Sequence, residues 1–173
     1  MRKNEQKDVI AVLDFGSQYS HLIVRRIREL GVYAELLPPE VKAETLLHYK
    51  GVVLSGGPQN LSEKSSLKAD PKVYLLGVPV LGICYGMQHM AHQLGGKVKA
   101  GKLREYGPAR VSLASRTEAT RNKNPRSTAE LTTGHGTEQT RKNIPSVLFG
   151  GLSRNELIWM SHGDRVTKVP NGF

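Results

Sequence analysis

Cysteine is nearly absent: 173 residues carry a single one, Cys84. An internal disulfide is excluded, and no cysteine cluster is available to hold zinc. Long apolar runs are missing as well. The first, Val9-Ile-Ala-Val-Leu13, is far shorter than the roughly 20 residues that a membrane helix needs. The N-terminus, Met1-Arg-Lys-Asn-Glu-Gln-Lys-Asp8, is charged and lacks the apolar core of a secretory signal. A cytoplasmic, reducing setting without a membrane contact is the expectation. Aromatic residues make up only 6% and do not interleave with the basic ones, as a stacking nucleic-acid surface would require. No repeat and no linker between domains is visible.

Positive charge is in excess. The formal net charge is +10 and the sequence pI about 9.9. The basic residues are dispersed, some in Arg25-Arg26-Ile27-Arg28, some at Lys97, Lys99 and Lys102, and several over residues 116–142. That dispersal predicts a solvated basic surface and no specific nucleic-acid partner. The length suits one domain with a genuine core.

The apolar pattern then gives the architecture. Val9 to Leu13 is a continuous run of the kind buried on both faces of a parallel sheet. Residues 19–30 predict a helix, with Ile23, Ile27 and Leu30 on one stripe and Gly31 as its stop. Residues 32–37 predict a strand closed by Pro38-Pro39, 41–48 an amphipathic helix, and Gly51-Val-Val-Leu-Ser55 a third strand. Asp70-Pro71 opens a short helix through Leu76, and 78–83 form a fourth strand. The next helix carries Met87, Met90, Ala91 and Leu94 as a core stripe. Such alternation means βαβ units: an α/β fold with a doubly wound, mostly parallel sheet and helices on both faces. Residues 97–100 and 109–113 predict two short strands that pair with each other. Over 114–146 threonine, serine, asparagine and charge dominate, which predicts a polar insertion or loop. Gly134-His135-Gly136 within it reads as a turn. Structure resumes over 147–152, and Leu157-Ile-Trp-Met160 predicts another buried strand ending in Ser161-His-Gly-Asp164.

Chemistry concentrates where strands end. Gly82-Ile-Cys84-Tyr-Gly86 lies between a strand and a helix, the arrangement of a nucleophile elbow, in which a tight turn exposes the reactive side chain above the sheet. A cysteine there also meets the positive end of a helix dipole, which favours thiolate. The alternative is a buried small hydrophobe at a strand end. Ser55-Gly56-Gly57-Pro58 follows the third strand, where an open α/β sheet binds ligands and where glycine lets a backbone N–H approach one. It is otherwise an ordinary turn.

Taken together, Ser55-Gly-Gly-Pro58, Gly82-Ile-Cys-Tyr-Gly-Met-Gln88, Trp159-Met-Ser-His-Gly-Asp164 and Asp14-Phe-Gly-Ser-Gln-Tyr19 resemble the class I glutamine amidotransferases. Within that family they are most like the glutaminase domains of GMP synthetases. The resemblance covers residues 9–113 and 149–173 and omits the threonine-rich stretch. It implies a flavodoxin-like fold, here a single domain over 1–173 that lacks its C-terminal part. It implies that Cys84 attacks the side-chain amide of glutamine, that the N–H groups of Gly57 and Tyr85 hold the oxyanion, and that Gly56, Gln88, Ser161 and His162 bind glutamine. Water then releases glutamate from a thioester, and the ammonia serves conversion of XMP to GMP in purine nucleotide synthesis. Gln88 as a surface residue and Ser161-His162 as a plain turn are the alternatives. The implied partners are glutamine and an ATP-pyrophosphatase or synthetase domain or subunit. No cofactor is expected in this domain; ATP and Mg belong to that partner.

The family's base, a histidine oriented by a glutamate in a Phe-His-Pro-Glu motif, has no match in this sequence. His162 belongs to another motif. General acid–base help is worth about 10²–10⁴-fold, so weak or absent turnover is expected, and a fragment or inactive copy that only binds glutamine or a synthetase is the competing expectation.

Overall fold

In a computed structural model, residues 8–61, 63, 65–112, 151–153 and 155–171 are described. They fall into two compact units, Met1–Met90 and Ala91–Phe173.

The first unit is built on four parallel strands: β1 (Val9–Leu13), β2 (Tyr33–Leu37), β3 (Gly51–Leu54) and β4 (Val80–Gly82). Their order is β2-β1-β3-β4. The chain steps from β1 outward to β2 and then returns to the other side of β1. Carboxyl ends of β1 and β3 therefore flank the point where the winding reverses, which is where open α/β sheets hold ligands. The expected doubly wound parallel sheet is thus present. All four residues of β3 are buried, as a strand covered on both faces must be.

Helix α1 (Ser20–Glu29) packs on this sheet through Val24, Ile23 and Ile27, against Val12, Ala34 and Val53. Arg26 and Arg28 stand in its last turn, where cations suit the helix dipole. Arg28 also donates to the Ala34 carbonyl at 2.6 and 3.0 Å, tying helix to β2. Gly31 ends the helix at φ +82°, a conformation open to glycine at little cost. Leu30, expected on the apolar stripe, is 83% exposed. It lies past the last helical turn, and Val24 takes its place.

The helix expected over 41–48 is only a 3₁₀ turn, Ala43–Leu46. Its two buried residues, Ala43 and Leu46, are three apart, the repeat of a 3₁₀ rather than an α-helix. The short helix after Asp70 is likewise 3₁₀ (Pro71–Leu75), capped by the Asp70 carboxylate, which accepts from the Lys72 N–H. Helix α2 (Tyr85–Gln93) follows β4.

Among the described residues, the second unit holds two antiparallel strands, β5 (Lys97–Ser112) and β6 (Asn155–Lys168). Two expectations are corrected. Residues 97–100 and 109–112 do not pair with each other; they belong to one strand that pairs with β6, with a register shift between Ala100 and Glu105, and residue 113 lies outside the described residues. Pro108 is tolerated within it because a two-stranded ribbon leaves one edge without ladder bonds. Nor is 157–160 a buried strand: Leu157 is 69% and Trp159 76% exposed. An apolar run is buried only where a second layer covers it, and a ribbon supplies none by itself. The proposed insertion over 114–146, His135 included, lies outside the described residues.

Candidate active site

The turn between β4 and α2 is tightly constrained. Cys84 has φ +51° and is the only non-glycine residue at positive φ among the described residues. Holding an L-residue there costs about 1–2 kcal/mol, so surrounding contacts must enforce it. The Ile83 N–H donates to the Leu54 carbonyl (2.9 Å), the Gly86 N–H to the carbonyls of Ser55 and Ile83 (3.0 Å each), and the Gln88 N–H to that of Cys84 (3.0 Å). The bonds to Leu54 and Ser55 sew the turn to the end of β3, and the other two close the turn on itself. Glycine on either side is a steric requirement. A Cβ on Gly82 would lie 2.6 Å from the Met87 backbone, and one on Gly86 2.6 Å from Leu54 Cβ. This is the elbow geometry expected from the spacing: a strained residue presented between two close-packed glycines. Cys84 is half-buried, so the fully buried hydrophobe is not what is found.

The end of β3 provides the facing wall. A Cβ on Gly56 would stand 3.6 Å from both Cys84 Cβ and Ser17 Oγ, so the bare α-carbon borders the cysteine. Gly57 is constrained from elsewhere. A side chain there would meet the Phe15 carbonyl oxygen at 2.5 Å and Phe15 Cβ at 3.2 Å. Packing against Phe15, and not only ligand access, demands glycine. Ser55 Oγ accepts from the Phe15 N–H (3.0 Å) and donates to the Gly56 carbonyl (2.8 Å), joining the ends of β1 and β3. Asp14 accepts from the Gly16 N–H and from Ser20 Oγ, which fixes the loop into α1.

Gln88 is 3% exposed, so it is not the helix-surface residue of the alternative. The Tyr85 ring is buried against Phe15, centroids 5.2 Å apart, and its hydroxyl donates to the Leu67 carbonyl at 2.7 Å. Of the expected core stripe on α2, Met90 and Ala91 are buried while Met87 and Leu94 are half-buried. Sequence reasoning missed His89. It is fully buried, bonded through Nδ1 to the Tyr74 hydroxyl at 3.0 Å. Its place one turn beyond Tyr85, on the same helix face, was the available signal.

Electrostatics at Cys84 run against the expectation from the helix dipole. Burial pushes the thiol above its ordinary value, and the hydrogen bond from the Tyr85 N–H only partly pulls it back. Desolvation of the anion outweighs the dipole. Burial thus favours the thiol over the thiolate at Cys84.

Cys84, Gly56, Gly57, Tyr85 and Gln88 all belong to the first unit. Ser161 and His162 belong to the second, within β6, opposite Tyr106 and Glu105. They are not a strand-ending turn, since β6 runs on to Lys168. Asp164, two residues further, is buried. Among the described residues no group of three or more His, Cys, Asp or Glu is placed to hold a metal ion. No helix among them is long and apolar enough to cross a membrane.

Comparison with known proteins agrees with this geometry. The family model described as glutamine amidotransferase class-I matches residues 11–173. The chain is 42% identical over 176 residues to the GMP synthase [glutamine-hydrolyzing] of Lactobacillus acidophilus, covering 100% of this chain and 29% of that protein. It is 45% identical over 168 residues to the protein of the same name from Bacillus subtilis, covering 96% of this chain and 27% of that one. It therefore spans less than a third of these relatives. Among solved structures it resembles a Thermoplasma acidophilum protein assigned as one subunit of GMP synthase. The TM-score is 0.67 at 27% identity, over 95% of this chain and 69% of that one. A glutamine amidotransferase from Thermotoga maritima shares the fold, with TM-score 0.55 at 20% identity over 97% of this chain and 65% of that one.

Proposed function

This chain belongs to the class I glutamine amidotransferases, and from that premise we propose that it is the glutaminase part of a GMP synthetase, with Cys84 as nucleophile. The observation that carries the proposal is the strained Cys84 at φ +51°, held between Gly82 and Gly86 at the end of β4. Strain of this kind survives where the surrounding structure enforces it for a purpose.

The thiolate of Cys84 adds to the side-chain amide carbon of glutamine. The resulting oxyanion is stabilised by the backbone N–H groups of Gly57 and Tyr85, and donors so aimed are typically worth about 10²–10³-fold each. The tetrahedral intermediate collapses, the C–N bond breaks, and the nitrogen leaves as ammonia after taking up a proton. Water attacks the thioester and glutamate is released, regenerating the thiol. Gly56 leaves room beside the sulfur and Gln88 meets glutamine from α2; a glutamine-binding role for Ser161 and His162 is what the family resemblance implies. Because burial favours the thiol at Cys84, loss of its proton must accompany substrate binding or attack. The ammonia serves amination of XMP to GMP, in a synthetase part that also takes ATP and Mg. The setting is cytoplasmic. The relatives' names and the motifs around Cys84 and Ser161 support this reading.

A second reading is favoured by one observation, the burial that holds the Cys84 thiol protonated: a protein of this fold that binds glutamine without turning it over. Ammonia release from glutamine by the wild type and by Cys84→Ala tests the choice. Release that vanishes in Cys84→Ala supports the enzyme. Glutamine binding by calorimetry with no release supports the second reading. Release that persists in Cys84→Ala sinks the nucleophile assignment.

A further inference from the structure

Beneath the elbow lies a buried cluster that the reaction above does not use. Tyr74, from the 3₁₀ turn Pro71–Leu75, and His89, from α2, share a hydrogen bond of 3.0 Å. They are 7% and 0% exposed. The His89 ring lies 5.5 Å from that of Phe15 and 6.3 Å from that of Tyr85, centroid to centroid. These two neighbours adjoin or carry the proposed oxyanion donors. Phe15 fills the space in which a Gly57 side chain would sit, and Tyr85 carries the other N–H. An apolar side chain could fill the volume of His89 without polar atoms to satisfy. What an imidazole adds is direction: one buried hydrogen bond sets the plane of the ring.

We infer that the Tyr74–His89 pair is a positioning device for the nucleophile elbow. It fixes the ring that braces Phe15 and Tyr85, and so holds the Tyr85 N–H against Cys84 and the Gly57 backbone against Phe15. The inference deepens the proposed glutaminase chemistry and rests on it for the meaning of the two donors. The hold on Cys84 itself can be read without turnover. Burial keeps the Tyr74 hydroxyl above its ordinary value, so it stays neutral throughout the measurements below.

Cys84 is the only cysteine, so alkylation by iodoacetamide reports on it alone. Its rate is followed against pH in the wild type, Tyr74→Phe, His89→Leu and His89→Asn. Loss of one buried hydrogen bond corresponds to about fivefold. Tyr74→Phe and His89→Leu should therefore alkylate about fivefold more slowly near neutral pH, with the profile moved to higher pH, because the Tyr85 N–H no longer steadies the thiolate. His89→Asn, which keeps polar atoms near the place of Nδ1, should recover most of the wild-type profile. A folded Tyr74→Phe with an unmoved profile overturns the inference. That variant removes one oxygen atom, so it decides the matter even where His89→Leu fails to fold. A glutamine-analogue chloroketone provides the second arm. Absence of wild-type labelling by it, with a moved iodoacetamide profile in Tyr74→Phe, refutes the glutaminase reading and supports the positioning role. Labelling with an unmoved profile does the reverse.

Discussion

The two units treat apolar residues in opposite ways. In the first, Val12, Leu13, Leu54, Phe15 and Tyr85 are all at most 1% exposed, and even His89 is sealed. In the second, β6 displays Leu157 and Trp159 on one face at 69% and 76% exposure. Both segments carry apolar runs of similar length. The difference lies in layers: the parallel sheet has helices and turns packed upon it, while the described residues of the second unit form a two-stranded ribbon. A chemical consequence follows. Strain can be stored at Cys84 because the sheet beneath it is dense, with bonds from β3 locking the turn.

That contrast can be broken by substitution. The largest effect is expected for Gly86→Ala, whose Cβ would press into Leu54 Cβ at 2.6 Å. Overpacking against a fixed sheet should destabilise by about 3 kcal/mol or more, seen as a fall in the urea midpoint. A midpoint like the wild type's would mean that the elbow is looser than described. Leu54→Ala, at a site with no exposure, should lose about 3 kcal/mol.

A smaller effect separates strain from burial. Cys84→Gly should be about 1 kcal/mol more stable than Cys84→Ala, because only glycine accepts φ +51° without penalty. Equal midpoints would count against a strained elbow. The thiol adds a pH signature. Its value is raised in the fold, so its contribution is present below the unfolded-state value and is lost as pH climbs through and beyond the ordinary thiol range. Wild type should thus lose ground to Cys84→Ala as the medium becomes alkaline. The smallest effect belongs to the ribbon: Trp159→Ser should stay within about 0.5 kcal/mol of wild type.

Much of the first unit was legible in the sequence because its signals are local. Continuous apolar runs marked β1 and β3, Gly31 marked the end of α1, and glycines flanking a lone cysteine marked the elbow. The errors arose where a short pattern has more than one solution. Residues 41–48 fit a helical stripe, yet only Ala43 and Leu46 reach the core. Leu157-Ile-Trp-Met160 looks the same in a central strand as in an exposed ribbon. Spacing and resemblance named Cys84, Gly56, Gly57, Tyr85, Gln88, Ser161 and His162 as candidates, and the first five lie in the first unit. The need for glycine at 57 was read as ligand access, because the Phe15 contact joins residues far apart in the chain. His89 was passed over since a histidine amid apolar helix positions gives no sign of its partner at Tyr74.

The central claim is that Cys84 is an enforced, glutamine-directed nucleophile. Its most direct test is reaction of the folded protein with a glutamine-analogue chloroketone, with the adduct mapped by mass spectrometry and glutamine added as competitor. The account predicts one adduct, on Cys84, slowed by glutamine and lost on unfolding. Labelling that glutamine does not slow, or that proceeds as fast in the unfolded chain, would contradict it.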